Sequence, residues 1–300
     1  MNHEQDGNTR RHLLGAAGFG ALLMASGALA ATPAVPTAPA TPTGPAIKPA
    51  LTKPWRLLVN EAFTGESNLF ILTARYQPFA EYVTASVRGK PGIAIEPIVD
   101  VRRFMSLAKT SPRPQLVFGK TVNQLAKLVR DEGYQPVVRR SDPYKAAFIV
   151  AKGSPIRELK DVGPAHAKII MPDEMAATTA VARAELRRQN AGDVQIVHTR
   201  YQEAVAQQIA NGFGQVGVVN PTIARKWAEE GGRVIGETQG VVNWSVLASP
   251  EFVEADVALL RASLMAMNAG APAVLAGLGI KQWAGAERSD YLALLDYTKE

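Results

Sequence analysis

The chain of 300 residues contains no cysteine. Disulfides, thiolate metal sites and cysteine nucleophiles are therefore excluded, while the redox compartment stays open. Histidine is scarce, with only His3, His12, His166 and His198. Two of these lie near the N-terminus, His166 falls in a loop and His198 at a strand end, none with a local ligand partner. No metal and no cofactor is expected. Neither H-E-x-x-H nor G-x-S-x-G occurs, so hydrolysis has no support and the protein reads as a non-enzyme. Gly212-Phe213-Gly214-Gln215-Val216-Gly217 satisfies G-x-G-x-x-G, yet it follows a predicted helix and leads into a strand. A dinucleotide site needs the reverse order, and Gly212 reads better as a helix terminator. Long apolar runs are missing beyond the first 31 residues, so no later segment is expected to span a membrane.

Charge is not concentrated either. The net charge is +6, and the basic pairs Arg102-Arg103, Arg139-Arg140, Arg187-Arg188 and Arg225-Lys226 are scattered and not interleaved with aromatics. A nucleic-acid groove is not expected. A basic exterior does raise encounter rates with anionic ligands.

The first residues read as targeting, not fold. Arg10-Arg11 precedes a Gly/Ala-rich apolar stretch, and Ala28-Leu29-Ala30 has the small-x-small form of a cleavage site. The paired arginines resemble a twin-arginine signal peptide, which implies export to the periplasm and cleavage near Ala30/Ala31. A membrane anchor over residues 13–31 is the competing reading. Residues 32–54 are Ala/Pro/Thr-rich and read as a solvated tether. Nearly half of the residues are hydrophobic, 47%, enough for two ordinary cores in the remainder.

From Trp55 onward, strand and helix patterns alternate, which argues for α/β architecture with parallel sheets. Strands are expected at 55–59, 93–99, 115–118, 135–139, 144–152, 168–171, 194–197, 215–219, 233–235 and 241–247. Helices are expected between them, and at 253–267, 271–278 and 291–297. Pro78 should kink or restart the helix over 66–88. Thr121 and Thr222 are plausible N-caps. Crossings near Asp142 and Gly240 would give a discontinuous first lobe, 55–142 plus 241–300, and a continuous second lobe, 143–240.

The passage from Pro143 to Thr179 carries the chain from one lobe into the other. Its turn at Pro172–Thr179 would face the cleft between them, where helix N-termini offer free N–H groups beyond strand ends. Polar residues recur at that topological place: Glu61 and Thr64, Lys120 and Thr121, Asp173, Glu174, Thr178 and Thr179, Asn220 and Thr222. Singly, each is ordinary capping or turn chemistry; together they suit capture of a small polar ligand.

The run Thr73-Ala74-Arg75-Tyr76-Gln77-Pro78-Phe79-Ala80-Glu81-Tyr82-Val83 is followed by Gly153-Ser154-Pro155-Ile156-Arg157-Glu158-Leu159-Lys160-Asp161. Then come the Pro172-Asp173 helix start, Tyr201-Gln202-Glu203-Ala204-Val205-Ala206 before Gly217-Val218-Val219, and Ala248-Ser249-Pro250. In this order they resemble the exported solute-binding proteins of ABC transporters with the type II periplasmic-binding fold, phosphate/phosphite/phosphonate-type branch. The resemblance covers about Trp55 to Trp283. It implies two lobes, each a mostly parallel sheet flanked by helices, joined by a two-strand hinge and closing over an oxyanion. It also implies transport of a small-molecule ligand through a membrane ABC permease, by a monomer. Carried onto this chain, the ligand-binding residues would be Phe63, Thr64, Lys120, Thr121, Tyr144, Ala177, Thr178, Thr179 and Asn220, with Phe63 or Tyr144 as apolar wall. Phosphonate binders of the family carry a Ser-rich turn where this chain has Asp173-Glu174-Met175-Ala176-Ala177-Thr178-Thr179. An anion there requires both carboxylates to point away. A binder of sulfonates or organic acids, a periplasmic sensor or partner protein, and an enzyme on the same fold are the alternatives.

Overall fold

The computed structural model describes residues 53–62, 67–87, 89, 91–191 and 194–300. The export segment, nearly all of the Ala/Pro/Thr stretch, and Phe63 and Thr64 lie outside the described residues.

The chain begins with β1 (Trp55–Asn60), α1 (Leu69–Ser86), β2 (Ile93–Pro97), α2 (Val101–Lys109), β3 (Leu116–Gly119), α3 (Val122–Asp131) and β4 (Gln135–Arg140). It continues through β5 (Ala147–Val150), a 3-10 turn at Leu159–Asp161, β6 (Lys168–Met171), α4 (Ala177–Arg188), β7 (Gln195–His198), α5 (Gln202–Ala210), β8 (Val216–Val219), α6 (Pro221–Glu229) and β9 (Arg233–Glu237). It closes with β10 (Ser245–Ala248), α7 (Glu254–Gly270), α8 (Pro272–Gly277), β11 (Trp283–Gly285) and α9 (Arg288–Thr298). None of the described helices is long and apolar enough to cross a membrane.

Local chemistry explains the helices. In α2 the buried residues Val101, Phe104, Met105 and Ala108 fall at helical spacing. Asp100 caps it, its Oδ1 accepting from Arg103 N at 2.7 Å. Helix α1 starts on the Asn68 cap and runs through Pro78, so of the two outcomes expected there the restart does not occur. Pro78 lies on the exposed face, so water can serve the carbonyl that loses its helical partner.

Two sheets form, in the orders β11-β4-β10-β3-β1-β2 and β7-β6-β8-β5-β9. Parallel pairs join strands that helices connect: β1 with β2 and β3, and β6 with β7 and β8. The antiparallel pairs arise differently. β10 arrives from the other sheet and inserts between β3 and β4. β5 does the reciprocal, inserting between β8 and β9. The short edge strand β11, which the sequence pattern does not announce, adds to β4. All four residues of each of β3, β5, β8 and β10 are buried, matching their uninterrupted apolar sequence.

Between the sheets the chain crosses twice, after β4 and after β9. The crossings pair with each other at an isolated antiparallel bridge, Tyr144 with Val241, with N–H to O distances of 2.9 Å in both directions. Both sheets belong to one compact unit, Leu51–Glu300. One buried core joins them, through Leu125 and Val129 on α3, Val181 and Leu186 on α4, and Leu294 and Leu295 on α9.

The glycine run that mimics a dinucleotide motif serves packing. Gly212 holds φ +74° after α5, the left-handed position of a helix stop. At Gly217, a Cβ would meet Ile209 at 2.8 Å and Ile149 and Val205 at 3.0 Å. We expect Gly217→Ala to destabilise the fold by about 1–3 kcal/mol through overpacking of α5 on the sheet. Denaturant titration of the two proteins tests this, and an unchanged midpoint would contradict the packing role.

Candidate functional site

The C-terminal ends of β1 and β3 build one wall of a cavity of about 320 Å³. Asn60 organises it: its amide donates to Ile98 O at 2.7 Å, and its Oδ1 accepts from Ala62 N at 3.0 Å and from Thr121 Oγ1 at 3.1 Å. Thr121 is therefore spent on joining two strand ends. Its hydroxyl makes no cap bond to α3 and does not line the cavity.

Next to Asn60 lies Glu61, only 4% exposed. Its Oε1 accepts from the Tyr76 hydroxyl at 2.6 Å, and its Oε2 faces Lys120 Nζ at 2.6 Å and an Arg75 guanidinium nitrogen at 3.1 Å. Burial alone would raise the Glu61 carboxyl, but Lys120, then Tyr76 and Arg75, hold it below the usual carboxylate range. Burial pushes the Tyr76 hydroxyl well up, with Glu61 adding to it. Burial also lowers Lys120, and the neighbouring Arg75 and Arg140 offset part of what Glu61 restores. The two partners of this ion pair both shift downward, Lys120 because it is buried and Glu61 because of the cations and hydroxyl around it. Lys120 is thus a paired ammonium, 10% exposed. It also sits 4.1 Å from the centroid of the Trp244 ring.

The crossings supply the back wall. Arg140 binds Asp142 at 2.6 Å and lies 4.7 Å from the Trp244 centroid. Asn243 donates to the Asp142 carbonyl at 2.9 Å.

The opposite wall is the start of α4. Here Asp173 does not face the cavity. Its Oδ1 accepts from Met175 N at 2.9 Å, closing the β6–α4 turn. Glu174 pairs with Arg102 at 3.1 Å. The two carboxylates whose direction the sequence leaves open thus point away from this space. Thr179 donates its hydroxyl to Pro172 O at 3.0 Å and is also turned away. Ala176 sits at the cap position and offers no capping side chain. The first N–H groups of α4 therefore have no acceptor among the described residues. Thr178 lines the cavity and shares a hydrogen bond with the Tyr144 hydroxyl, which burial pushes up to about 12. At α6 the cap is Asn220, whose Oδ1 accepts from Ile223 N at 3.0 Å. Thr222 is thus not the cap; it lines the cavity beside Asn220.

Of the residues expected from sequence, Lys120, Tyr144, Ala177, Thr178 and Asn220 line this cavity, while Thr121 and Thr179 brace it. Gln202, Arg140, Asp142, Asn243 and Trp244 also line it and were not expected. Gln202 follows a strand end like the others and was open to the same rule; the crossing residues give no such signal. A neighbouring chamber of about 530 Å³ shares Ala62 and takes Asp100, Arg102, Asp173, His198 and Arg200. Among the described residues, no group of three His, Asp or Glu side chains could hold a metal ion.

A family model described as ABC transporter, phosphonate, periplasmic substrate-binding protein matches residues 71–291. No curated protein matches the chain. Among solved structures, a Xanthomonas citri protein bound to ATP has a TM-score of 0.67 at 15% identity, covering 81% of this chain and 97% of its own. PhnD1 from Prochlorococcus marinus in complex with methylphosphonate has a TM-score of 0.65 at 13% identity, covering 82% and 98%. The aliphatic sulphonate binding protein SsuA of Escherichia coli has a TM-score of 0.50 at 13% identity, covering 82% and 84%. At these identities the likeness is one of fold, the type II periplasmic-binding fold.

The Glu61 cluster sets a pH dependence. Its folded pKa lies below the unfolded value near 4.5. Its stabilisation is therefore fully present above that value and lost as pH falls through the folded one. Glu61→Gln should cost about 3 kcal/mol near neutral pH, because Lys120 keeps a buried charge without its carboxylate. The gap between the two proteins should narrow in acid. Thermal unfolding from pH 7 to 3 checks this; a gap independent of pH would show that Glu61 is not the ionised partner.

Proposed function

Since the chain belongs to the phosphonate-type periplasmic substrate-binding proteins of ABC transporters, we propose that it captures a small tetrahedral oxyanion in the cavity between its two sheets. Members of this family are transport proteins of the periplasm that carry a small molecule to a membrane permease; the family is not one of enzymes. The chain would be exported by its twin-arginine-like signal, cleaved near Ala30/Ala31, and act as a monomer. Residues 55–142 plus 241–300 and residues 143–240 would be the two lobes, closing by motion about the paired crossings.

The observation that carries the proposal is convergence of donors with little opposing charge. The uncapped start of α4, with the Thr178 and Tyr144 hydroxyls, faces Lys120 across the cavity. A helix N-terminus favours an anion through its free N–H groups and its dipole. Lys120 shares the Glu61 carboxylate with Arg75, and its ammonium lines the cavity. Asn220 and Thr222 add donors from α6. Phe63 and Thr64, which lie outside the described residues, stay part of the proposed ligand-binding set. The known contents of related folds, methylphosphonate in one and an aliphatic sulphonate specificity in another, fit the same class.

Thermal unfolding of the purified protein against phosphate, phosphite, methylphosphonate, sulfonates and organic acids tests the reading. A bound ligand at a hundredfold excess over Kd should stabilise by about 2.7 kcal/mol. Thr178→Ala and Lys120→Met should each weaken the responding ligand by about 1.5–3 kcal/mol, the range for hydrogen bonds to charged groups. A folded sample that responds to no oxyanion would overturn the proposal.

A further inference from the structure

A ligand class can be read from what the cavity holds beyond its anion donors; this step rests on the oxyanion reading above. The first consideration is room. The cavity of about 320 Å³ has space for roughly ten waters at about 30 Å³ each. An oxyanion bearing a single methyl group has only five non-hydrogen atoms and does not fill a pocket at the lower end of the size of small-molecule sites, about 300–1,000 Å³. Space is left for a substituent.

The second consideration is charge. Asp142 is the one carboxylate among the described lining residues, and Arg140 holds it at 2.6 Å. Glu61 lies behind the wall and is taken by Tyr76, Lys120 and Arg75. Lys145 at the rim is matched by Glu237 at 3.1 Å. An ammonium on the substituent would find, among the described lining residues, no carboxylate without a cation already on it. It would instead be desolvated near Lys120 and Arg140, where like charge is repelled.

The third consideration is lining. Beside these donors, the cavity is walled by Trp244, Pro143, Pro221, Ala62 and Ala176, with Lys120 and Arg140 at 4.1 and 4.7 Å from the Trp244 ring centroid. Aromatic and apolar walls of this kind bind uncharged organic groups. One polar group faces the same space. Gln202 is only 9% exposed; its Oε1 accepts from Asn220 N at 2.9 Å. The backbone N–H fixes which end of the amide is which. The Nε2 donor is left without a partner among the described residues while the side chain lines the cavity. A free amide donor on a largely buried side chain at the cavity wall is placed to meet an acceptor on the ligand.

We propose that the ligand is a tetrahedral oxyanion, as phosphonate, phosphate monoester or sulfonate, whose organic group is uncharged and about the size of a ring. The substituent lies against Trp244 and Pro221, with the headgroup at α4 and Lys120, and an aminoalkyl group in its place is disfavoured.

Isothermal titration of the purified protein decides this. The series pairs methylphosphonate with phenylphosphonate, methyl phosphate with phenyl phosphate, and methanesulfonate with benzenesulfonate, and adds 2-aminoethylphosphonate. For whichever headgroup binds, the ring-bearing member should bind at least about tenfold tighter than the methyl member. The aminoethyl compound should bind more weakly than methylphosphonate. In Trp244→Leu the ratio of ring to methyl affinity should fall toward one. A methyl compound that matches or exceeds its ring partner, or a preference for the aminoethyl compound, overturns this inference and leaves the oxyanion reading standing. Failure of every compound in the series, together with inorganic phosphate, overturns both.

Discussion

The two crossings between the sheets constrain everything else in this molecule. Each crossing delivers a strand into the interior of the other sheet, not to its edge: β5 between β8 and β9, β10 between β3 and β4. A fully buried central strand cannot slip without breaking two ladders and exposing apolar side chains. The chain between them is held as well, through the reciprocal bonds of Tyr144 and Val241, the bond from Arg140 N to Trp244 O at 2.8 Å, and that from Thr238 N to Ala146 O at 2.9 Å. Freedom is thus confined to a few residues, and those residues are also cavity wall. Arg140, Asp142, Pro143, Tyr144, Asn243 and Trp244 belong to both. A ligand that touches them contacts the segment about which the lobes would turn. It can bias their arrangement only by the difference in contact between two arrangements.

A third connection tempers this freedom. Helix α9 packs on α3 and on α4. Arg187 donates to the Thr298 carbonyl at 2.7 Å, and the Tyr297 hydroxyl reaches Glu185 at 3.1 Å. Asn123 on α3 meets both Met175 O and Glu300. The apolar core shared across α3, α4 and α9 makes separation of these helices costly, at about 25 cal/mol per Å² of apolar surface exposed. Any motion of the proposed lobes would have to keep these helices in touch.

Much of the architecture is legible in the chain itself. The apolar runs Leu116-Val117-Phe118 and Ala147-Phe148-Ile149-Val150 mark buried strands, and the turn at Pro172-Asp173 marks a helix start. Strand ends are where the topology brings chain segments together, so Lys120, Thr178 and Asn220 could be found by position. What their side chains do there was not legible. Lys120 and Glu61 are far apart in sequence and meet only because β1 and β3 are neighbours. Thr121 and Thr179 have the composition of ligand donors, but the fold uses their hydroxyls on Asn60 and Pro172. The antiparallel insertions were missed because alternating strand and helix imply parallel pairing, and a strand arriving from another sheet breaks that rule without a local mark. Trp244 and Arg140 acquire meaning only through the crossing that stacks one over the other.

The start of α4 shows why a missing feature can carry more than a present one. Helices α1, α2 and α6 are each capped by a side chain, Asn68, Asp100 and Asn220, a device worth about 1 kcal/mol. Helices α3, α4, α5, α7 and α8 have no side-chain cap bond, and α4 and α7, at Ala176 and Val253, make a useful comparison. The two cases differ in surroundings. Val253 is 63% exposed, so water satisfies the first N–H groups of α7 at no cost. Around α4, Ala176, Ala177, Thr178 and Thr179 are all buried. The cavity, which Ala176, Ala177 and Thr178 line, brings water or another acceptor to those N–H groups. A Ser or Asp at position 176 would stabilise the helix and occupy the same donors. Its replacement by alanine leaves a buried, uncapped helix start opposite Lys120, an arrangement that an entering oxyanion completes.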